Sequence, residues 1–248
     1  MRSDFYYWDF QCPLNADMLS LLSEYRNRLD IHTYNITDRP DLCKKFRIFY
    51  PTLTVVDCCY RYYAPIRRSF LESLCNGILP EEIPYRPSLG ITPYVGNILP
   101  INEANYKIAG NCVGFSECKG CTYKIHFLHQ IGLSVWGFMN VQKDQLLGGA
   151  EYVPSEFVPY AIPRDENTAF ITCVYLSDES YDYKSAPLGE LEKFLAEKYE
   201  RVLVISDEVG VFPNGDLTFF LRQGYHDLGI LSREDYCTLH LLEKQLKI

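Results

Sequence analysis

Apolar and polar positions change rhythm several times along the first third of the chain. An aromatic, strand-like run from Phe5 to Phe10 is followed by Ala16 to Leu29, where Met18, Leu21, Leu22, Tyr25 and Leu29 recur at helical spacing. Asp30 to Ile36 alternates again, so the pattern predicts a strand, a helix and a second strand. A second helix is predicted over Pro40 to Phe46, then strand-like runs at Tyr50 to Asp57 and Tyr60 to Ile66, then a helix from Arg67 to Cys75. The Asp57-Cys58-Cys59 corner between those two runs predicts a hairpin. Prolines at 80, 84, 87 and 93, together with Gly90, interrupt any regular element. The expected organisation is therefore a first domain over 1–79, a linker over 80–93 and a second domain over 94–248.

In the second domain the strand-like runs are Tyr94 to Leu99, Val135 to Asn140, Leu147 to Val153, Ala169 to Leu176 and Arg201 to Ser206, with a helix-compatible stretch near Tyr123 to Ile131. Lys143-Asp144 lies between two apolar pieces and predicts an antiparallel hairpin. The stretch VYLSDESYDYKSAPLGELEKFL, residues 174–195, passes from apolar strand through polar loop into an amphipathic helix. Leu188, Leu191, Phe194 and Leu195 set one apolar face of that helix, which is predicted to begin near Ser185 with the serine as N-cap and Pro187 in the first turn. Antiparallel strands followed by strand, helix, strand make a mixed α/β arrangement.

With 248 residues and 47% hydrophobic content, the chain can bury a core without covalent staples. Its formal charge of −8 argues against broad binding to nucleic acid or an anionic membrane and favours a basic substrate. No secretory leader or bilayer-length apolar run is visible, and the expected location is cytoplasmic. The ten cysteines are scattered, and most are expected to pack as reduced thiols. Cys118-Lys119-Gly120-Cys121 has knuckle spacing, with Cys112 upstream and His126 and His129 downstream. A structural zinc site needs four ligands, and no second knuckle is present, so no metal site is expected.

Two resemblances sharpen this picture. Cys12-Pro13-Leu14-Asn15 at a helix start and Tyr50-Pro51-Thr52 before a strand resemble the thioredoxin fold. Position 15 lacks the second sulfur that dithiol exchange requires, which leaves Cys12 either a structural thiol or a monothiol redox centre. In the second domain, Ala169 to Leu176, the loop and helix after it, Arg201 to Ser206 and Phe219-Phe220-Leu221-Arg222-Gln223-Gly224-Tyr225 resemble the GNAT superfamily of acyl-CoA-dependent N-acyltransferases. Glu151-Tyr152-Val153-Pro154 adds similarity to a bacterial GNAT subfamily in which some members carry a thioredoxin-like appendage. The expected fold class is thus α/β (α+β), a thioredoxin-like domain followed by a GNAT-like mixed-sheet domain.

The GNAT resemblance implies acetyl-CoA as acyl donor and a small-molecule or peptide amine as acceptor. It implies that Val174, Tyr175 and Leu176 meet the pantetheine arm through their backbone, and that Lys184, Ser185, Ala186, Pro187 and Leu188 face the pyrophosphate. The family's R/Q-x-x-G-x-G/A pattern falls on Asp182 to Pro187, where the arginine and both glycines are missing. Pro187 removes one N–H donor, at a loss of about 1–3 kcal/mol if nothing replaces it. Glu151 is the candidate base, acting through water, and Tyr225 the candidate acid, because Phe220 stands where many members place a tyrosine. Two other readings stay open: a noncatalytic acyl-CoA-binding or interaction protein, and a thiol-dependent redox or peptide-binding module acting through Cys12.

Overall fold

Two sheets, the first built from residues 2–62 and the second from residues 97–245, organise the computed structural model, which describes all residues except 84, 85, 87, 88, 114–119, 178, 211–213 and 248. Contacts divide the chain into two units, the first holding 1–83 with 119–127 and 159–161, the second holding the rest.

In the first unit the elements follow as β1 (Arg2–Tyr7), α1 (Leu14–Tyr25), β2 (Asp30–Asn35), α2 (Pro40–Phe46), β3 (Thr52–Val56), β4 (Tyr60–Tyr62) and α3 (Arg68–Cys75). The sheet order is β2-β1-β3-β4, with β1 parallel to β2 and the other pairs antiparallel. Successive residues of β1 point to opposite faces. Phe5 therefore joins Met18, Leu22, Leu71 and Leu74 under α1 and α3, while Tyr6 stacks on Tyr34 at a ring distance of 4.9 Å and meets Phe46 at a tilt at 5.0 Å. Asp57 and Cys58 both adopt left-handed backbone, which closes the β3–β4 hairpin.

Helix α1 begins at Leu14, two residues before the predicted Ala16, because Pro13 supplies a helical φ without needing a hydrogen-bond partner for its nitrogen. The additional segments pack on the turn that precedes it. Trp8, 1% exposed, meets Phe127 and Tyr160 edge-on at 6.0 and 5.3 Å, Phe10 stacks on Tyr123 at 4.7 Å, and Lys124 Nζ donates to the Gln11 carbonyl.

The second unit contains β5 (Asn97–Ile101), α4 (Tyr106–Ala109), a 3-10 turn (Gly110–Val113) and β6 (Gly137–Gln142), after α5 (Cys121–Gln130), whose residues 121–127 belong to the first unit. It continues through β7 (Gln145–Pro154), β8 (Thr168–Leu176), α6 (Ser185–Ala196), β9 (Arg201–Asp207), α7 (Leu217–Arg222), β10 (His226–Glu234) and β11 (Cys237–Gln245). The seven-stranded order is β10-β11-β9-β8-β7-β6-β5, and β8 with β9 is its parallel pair. This is a mixed α/β fold built on mixed sheets.

One face of this sheet offers Ala150, Tyr152, Ile171, Val174, Val202, Val204 and Leu242 to Leu188, Leu191 and Leu195 of α6 and to Phe219, Phe220 and Tyr225. The opposite face of β7 receives α4 and the 3-10 turn after it. Between the β7/β8 pairs Glu151↔Cys173 and Tyr152↔Ile171 the register shifts, leaving Thr172 as an extra residue on β8. The β10–β11 hairpin was not legible as a strand pair in the sequence, because β10 is a bulged edge strand with most side chains exposed and so has no alternation.

In the first unit Glu72 accepts from both Arg28 guanidinium nitrogens at 2.9 Å and from the Tyr25 hydroxyl at 2.5 Å. The Arg28 and Tyr25 hydrogen bonds lower its carboxyl from 4.5 to about 2. Because the folded value is the lower one, the contribution of Glu72 to stability is complete above pH 4.5 and is lost as pH falls toward 2. Glu72→Gln is expected to flatten the acid limb of the first unit's stability in that window while leaving the pH 7 to 9 plateau level, as read by urea melts at stepped pH. An unchanged acid limb would refute the assignment.

Candidate functional site

The bulge at Thr172 has a direct structural result. The parallel register of β8 and β9 runs from Thr168↔Arg201 to Ile171↔Val204 and stops there. Beyond it β8 continues to Leu176 against β7, and β9 continues to Asp207 against β11. Among the described residues, no strand lies beside the β8 backbone from Thr172 to Leu176 on the β9 side. Such an edge suits a linear ligand that offers its own amide groups in ladder fashion. Val174 is buried toward α6, whereas Tyr175 and Leu176 are half-buried.

On the β9 side the vacated position is partly taken by the segment before α7. Asn214 Nδ2 donates to the Ile205 carbonyl at 3.0 Å, the Ser206 hydroxyl donates to the Gly215 carbonyl at 2.7 Å, and Asp216 forms a parallel bridge with Asp207. Because β11 already occupies the other edge of β9, this segment must lie on the edge that β8 has left.

Helix α6 starts where β8 points, and its first amides are already bonded. Asp182 Oδ1 accepts from the backbone nitrogens of Lys184 and Ser185, both at 3.0 Å, and Asp182 Oδ2 accepts from the Ser185 hydroxyl at 2.5 Å. Ser185 was expected to be the N-cap; the structure makes it the first helical residue and assigns the capping oxygen to Asp182. A carboxylate is favoured there by unsatisfied N–H groups and by the helix dipole. Pro187 lies buried in the first turn and Leu188 is fully buried in the core beneath it.

Lys184 does not reach outward. It is 4% exposed, its Nζ sits 4.1 Å from the Phe219 ring centroid, and it lies close enough to Gly215 that a Cβ there would meet it at 3.2 Å. Burial lowers its pKa, opposed by the charges of Asp216 and Asp182. The loop itself is pinned by the linker: Gly90 N donates to Glu179 O at 2.7 Å, Asp182 N to Thr92 O at 2.9 Å and Tyr94 N to Asp182 O at 3.1 Å. Asn140, fully buried on β6, donates to the carbonyls of Tyr94 and Tyr183 at 2.8 and 3.4 Å. Gly148 permits this approach, since a Cβ there would lie 2.7 Å from the Tyr183 carbonyl.

The two candidate catalytic residues are separated by the sheet. Glu151, 2% exposed, points away from α6 and faces the buried hydroxyls of Tyr175 and Tyr106, with Cys112 and Cys173 nearby. Burial first, then the charge of Glu151, raises both tyrosines well above the ordinary range. Tyr225 belongs to the core on the α6 face, where burial and Glu192 raise its pKa. Glu192 in turn accepts from Lys244 Nζ at 2.5 Å. Tyr225 and Glu151 are not brought together, and the tyrosine beside Glu151 is Tyr175.

Tyr106 and Asn140 were not singled out from the sequence, and neither carries a pattern that would have done so. Asp182 did carry a signal, because an acidic residue just ahead of a predicted helix start is a capping signature.

The open β8 edge fits the amides of a pantetheine arm. The α6 start as it stands does not fit a diphosphate, because Asp182 holds two of the amides with a negative charge and Pro187 has no N–H. Among the described residues no group of three or more His, Cys, Asp and Glu is arranged to hold a metal. Cys118 and Lys119 lie outside the described residues, Cys121 is disulfide-bonded, and eight other cysteines form no disulfide. No described helix is long and apolar enough to cross a membrane.

No protein-family model matches the chain, and no curated protein matches its sequence. Among solved structures it is similar to an N-acetyltransferase from Staphylococcus aureus Mu50, at 14% identity over 61% of this chain and 100% of that one, TM-score 0.45. It is similar also to the aminoglycoside 6′-N-acetyltransferase from Enterococcus faecium, at 11% identity over 60% and 97% of the two chains, TM-score 0.44. A third is an aminoglycoside 6′-N-acetyltransferase complexed with coenzyme A, at 10% identity over 60% and 97%, TM-score 0.44.

Tyr175 lies across Gly149, its register partner on β7, and a Cβ at position 149 would sit 2.6 Å from the ring and from the hydroxyl. Gly149→Ala is therefore expected to expel the ring and to cost about 1–3 kcal/mol. In a Tyr175→Ala background the same substitution should cost almost nothing, which a double-mutant cycle in urea measures. Additive costs would mean that the ring does not occupy this position.

Proposed function

We propose that the second unit is a GNAT-type N-acyltransferase that takes acetyl-CoA as donor and acylates a small-molecule or peptide amine. One observation carries this reading: the parallel pair β8/β9 separates at a bulge, just before the strand end from which α6 departs. In open sheets with parallel strands, ligands bind beyond the carboxyl ends where the chain connections part.

The residues of this chain have definable work in such a reaction. The β8 edge from Thr172 to Leu176 holds and orients an extended arm by backbone hydrogen bonds. An ammonium acceptor must lose a proton before it attacks, and Glu151 is the carboxylate available on the face away from α6, acting through water. Tyr175 holds its buried hydroxyl near that carboxylate, and its raised pKa keeps the phenol protonated and able to donate. The donor, when bound, supplies an activated thioester carbonyl. The net charge of −8 supports a cationic acceptor.

In the first unit the order β2-β1-β3-β4 supports a thioredoxin-like reading. Asn15 stands where a second thiol would be needed; it is fully buried and its Nδ2 donates to the Asp9 carbonyl at 2.5 Å. That side chain makes a structural hydrogen bond and cannot resolve a mixed disulfide, which supports a structural role for Cys12 over dithiol exchange. The noncatalytic interaction-protein reading is favoured by Asp182, whose carboxylate takes the amides that a diphosphate would use at the α6 start.

Thiol release from acetyl-CoA in the presence of an amine panel tests the transferase reading. Glu151→Gln should lower kcat by about 10²–10⁴-fold. Tyr225→Phe and Cys12→Ser should leave kcat near the wild-type value. Stabilisation of the protein by acetyl-CoA without thiol release for any amine would select noncatalytic acyl-CoA binding, and neither effect would leave the interaction-protein reading.

A further inference from the structure

We infer that Asp182 is an internal stand-in for the donor's diphosphate, a carboxylate that a nucleotide-bearing donor must displace before it can use the start of α6. This rests on the acyl-donor reading of the β8/β9 cleft and determines which donors that cleft admits.

Three sets of contacts agree. The Asp182 carboxylate makes three hydrogen bonds, two to the amides of Lys184 and Ser185 and one to the Ser185 hydroxyl. Gln223 Nε2, at the C-cap of α7, donates to that hydroxyl at 2.8 Å. The Asp182 backbone is held on both sides, its N–H by the Thr92 carbonyl and its carbonyl by Tyr94 N, so the carboxylate is delivered to the helix by a fixed segment. Lys184, next to these amides, turns its nearly buried amine inward onto the Phe219 ring instead of presenting it at the helix start. The Lys184 and Ser185 amides, the Ser185 hydroxyl and the Lys184 amine are thus all turned to internal partners.

The chemistry follows from like charge. A diphosphate arriving at α6 meets a carboxylate at the amides it would use. Donors made of a pantetheine thioester alone escape the conflict, because they need the β8 edge and not the helix start. Asp182 therefore biases the cleft toward the arm and against the nucleotide.

The test uses the full chain and three probes in calorimetry: inorganic pyrophosphate, coenzyme A, and acetyl-pantetheine, which lacks the diphosphate. Asp182→Ala should tighten pyrophosphate and coenzyme A by about tenfold or more, through loss of a charged competitor. Acetyl-pantetheine affinity should stay within twofold. Asp182→Asn keeps a capping oxygen without the charge, guards against loss of the helix, and should fall between wild type and Asp182→Ala. Pyrophosphate and coenzyme A binding both folded variants no more tightly than wild type would overturn the inference. Tighter pyrophosphate binding to the variants with no acetyl-pantetheine binding to any form would uphold Asp182 as the stand-in while ending the donor reading of the cleft.

Discussion

The extra residue at Thr172 is the constraint from which the geometry of the second unit follows. A bulge in one strand of a pair bends that strand and adds local twist. Here it lies one residue past the last rung that β8 shares with β9, so the strand turns away from its parallel neighbour while keeping β7. Without the bulge, two parallel strands at the centre of a seven-stranded sheet would have no reason to part. Past it, the five residues of β8 from Thr172 to Leu176 have no described strand on the β9 side, the segment before α7 takes the β9 edge, and the loop that follows β8 feeds α6 at the same end of the sheet.

The loop chemistry becomes consistent once Asp182 is recognised as the anion of this helix. Glycines are needed in a phosphate loop where the backbone must come close to an external oxygen. In this chain the oxygen arrives on a side chain two residues before Lys184, and the backbone has no external group to approach. Pro187 is then tolerated for the ordinary reason that a first-turn nitrogen has no intrahelical acceptor. The missing glycines and the proline are therefore one feature: a helix start folded around its own carboxylate.

Long periodic segments were the legible part of this fold. Met18, Leu22 and Tyr25 define α1, and Leu188, Leu191 and Leu195 define α6, because burial of one stripe imposes its period on the sequence. The edge strand β10 and the short α4 were not legible, since exposure in one and brevity in the other leave no period to read. The same limit applied to the site. Glu151 could be named from its sequence neighbours, but its partners Tyr106 and Tyr175 come from a distant helix and an adjacent strand, and only the register places them together.

Register also decides between the two tyrosines proposed to assist an acyl transfer. Tyr225 follows α7 and packs among Leu188, Leu191 and Leu195, so its hydroxyl is committed to the side of the sheet where Glu192 and Lys244 lie. Glu151 and Tyr175 lie on the other side, because Ala150, Tyr152 and Val174 fill the α6 face and their immediate neighbours must point away. Glycine at position 149 then completes the arrangement by leaving room for the Tyr175 ring to cross the strand and bring its oxygen toward the carboxylate. An acid and a base that serve one reacting centre have to share a face; Glu151 and Tyr175 share one in this sheet, and Tyr225 lies on the other.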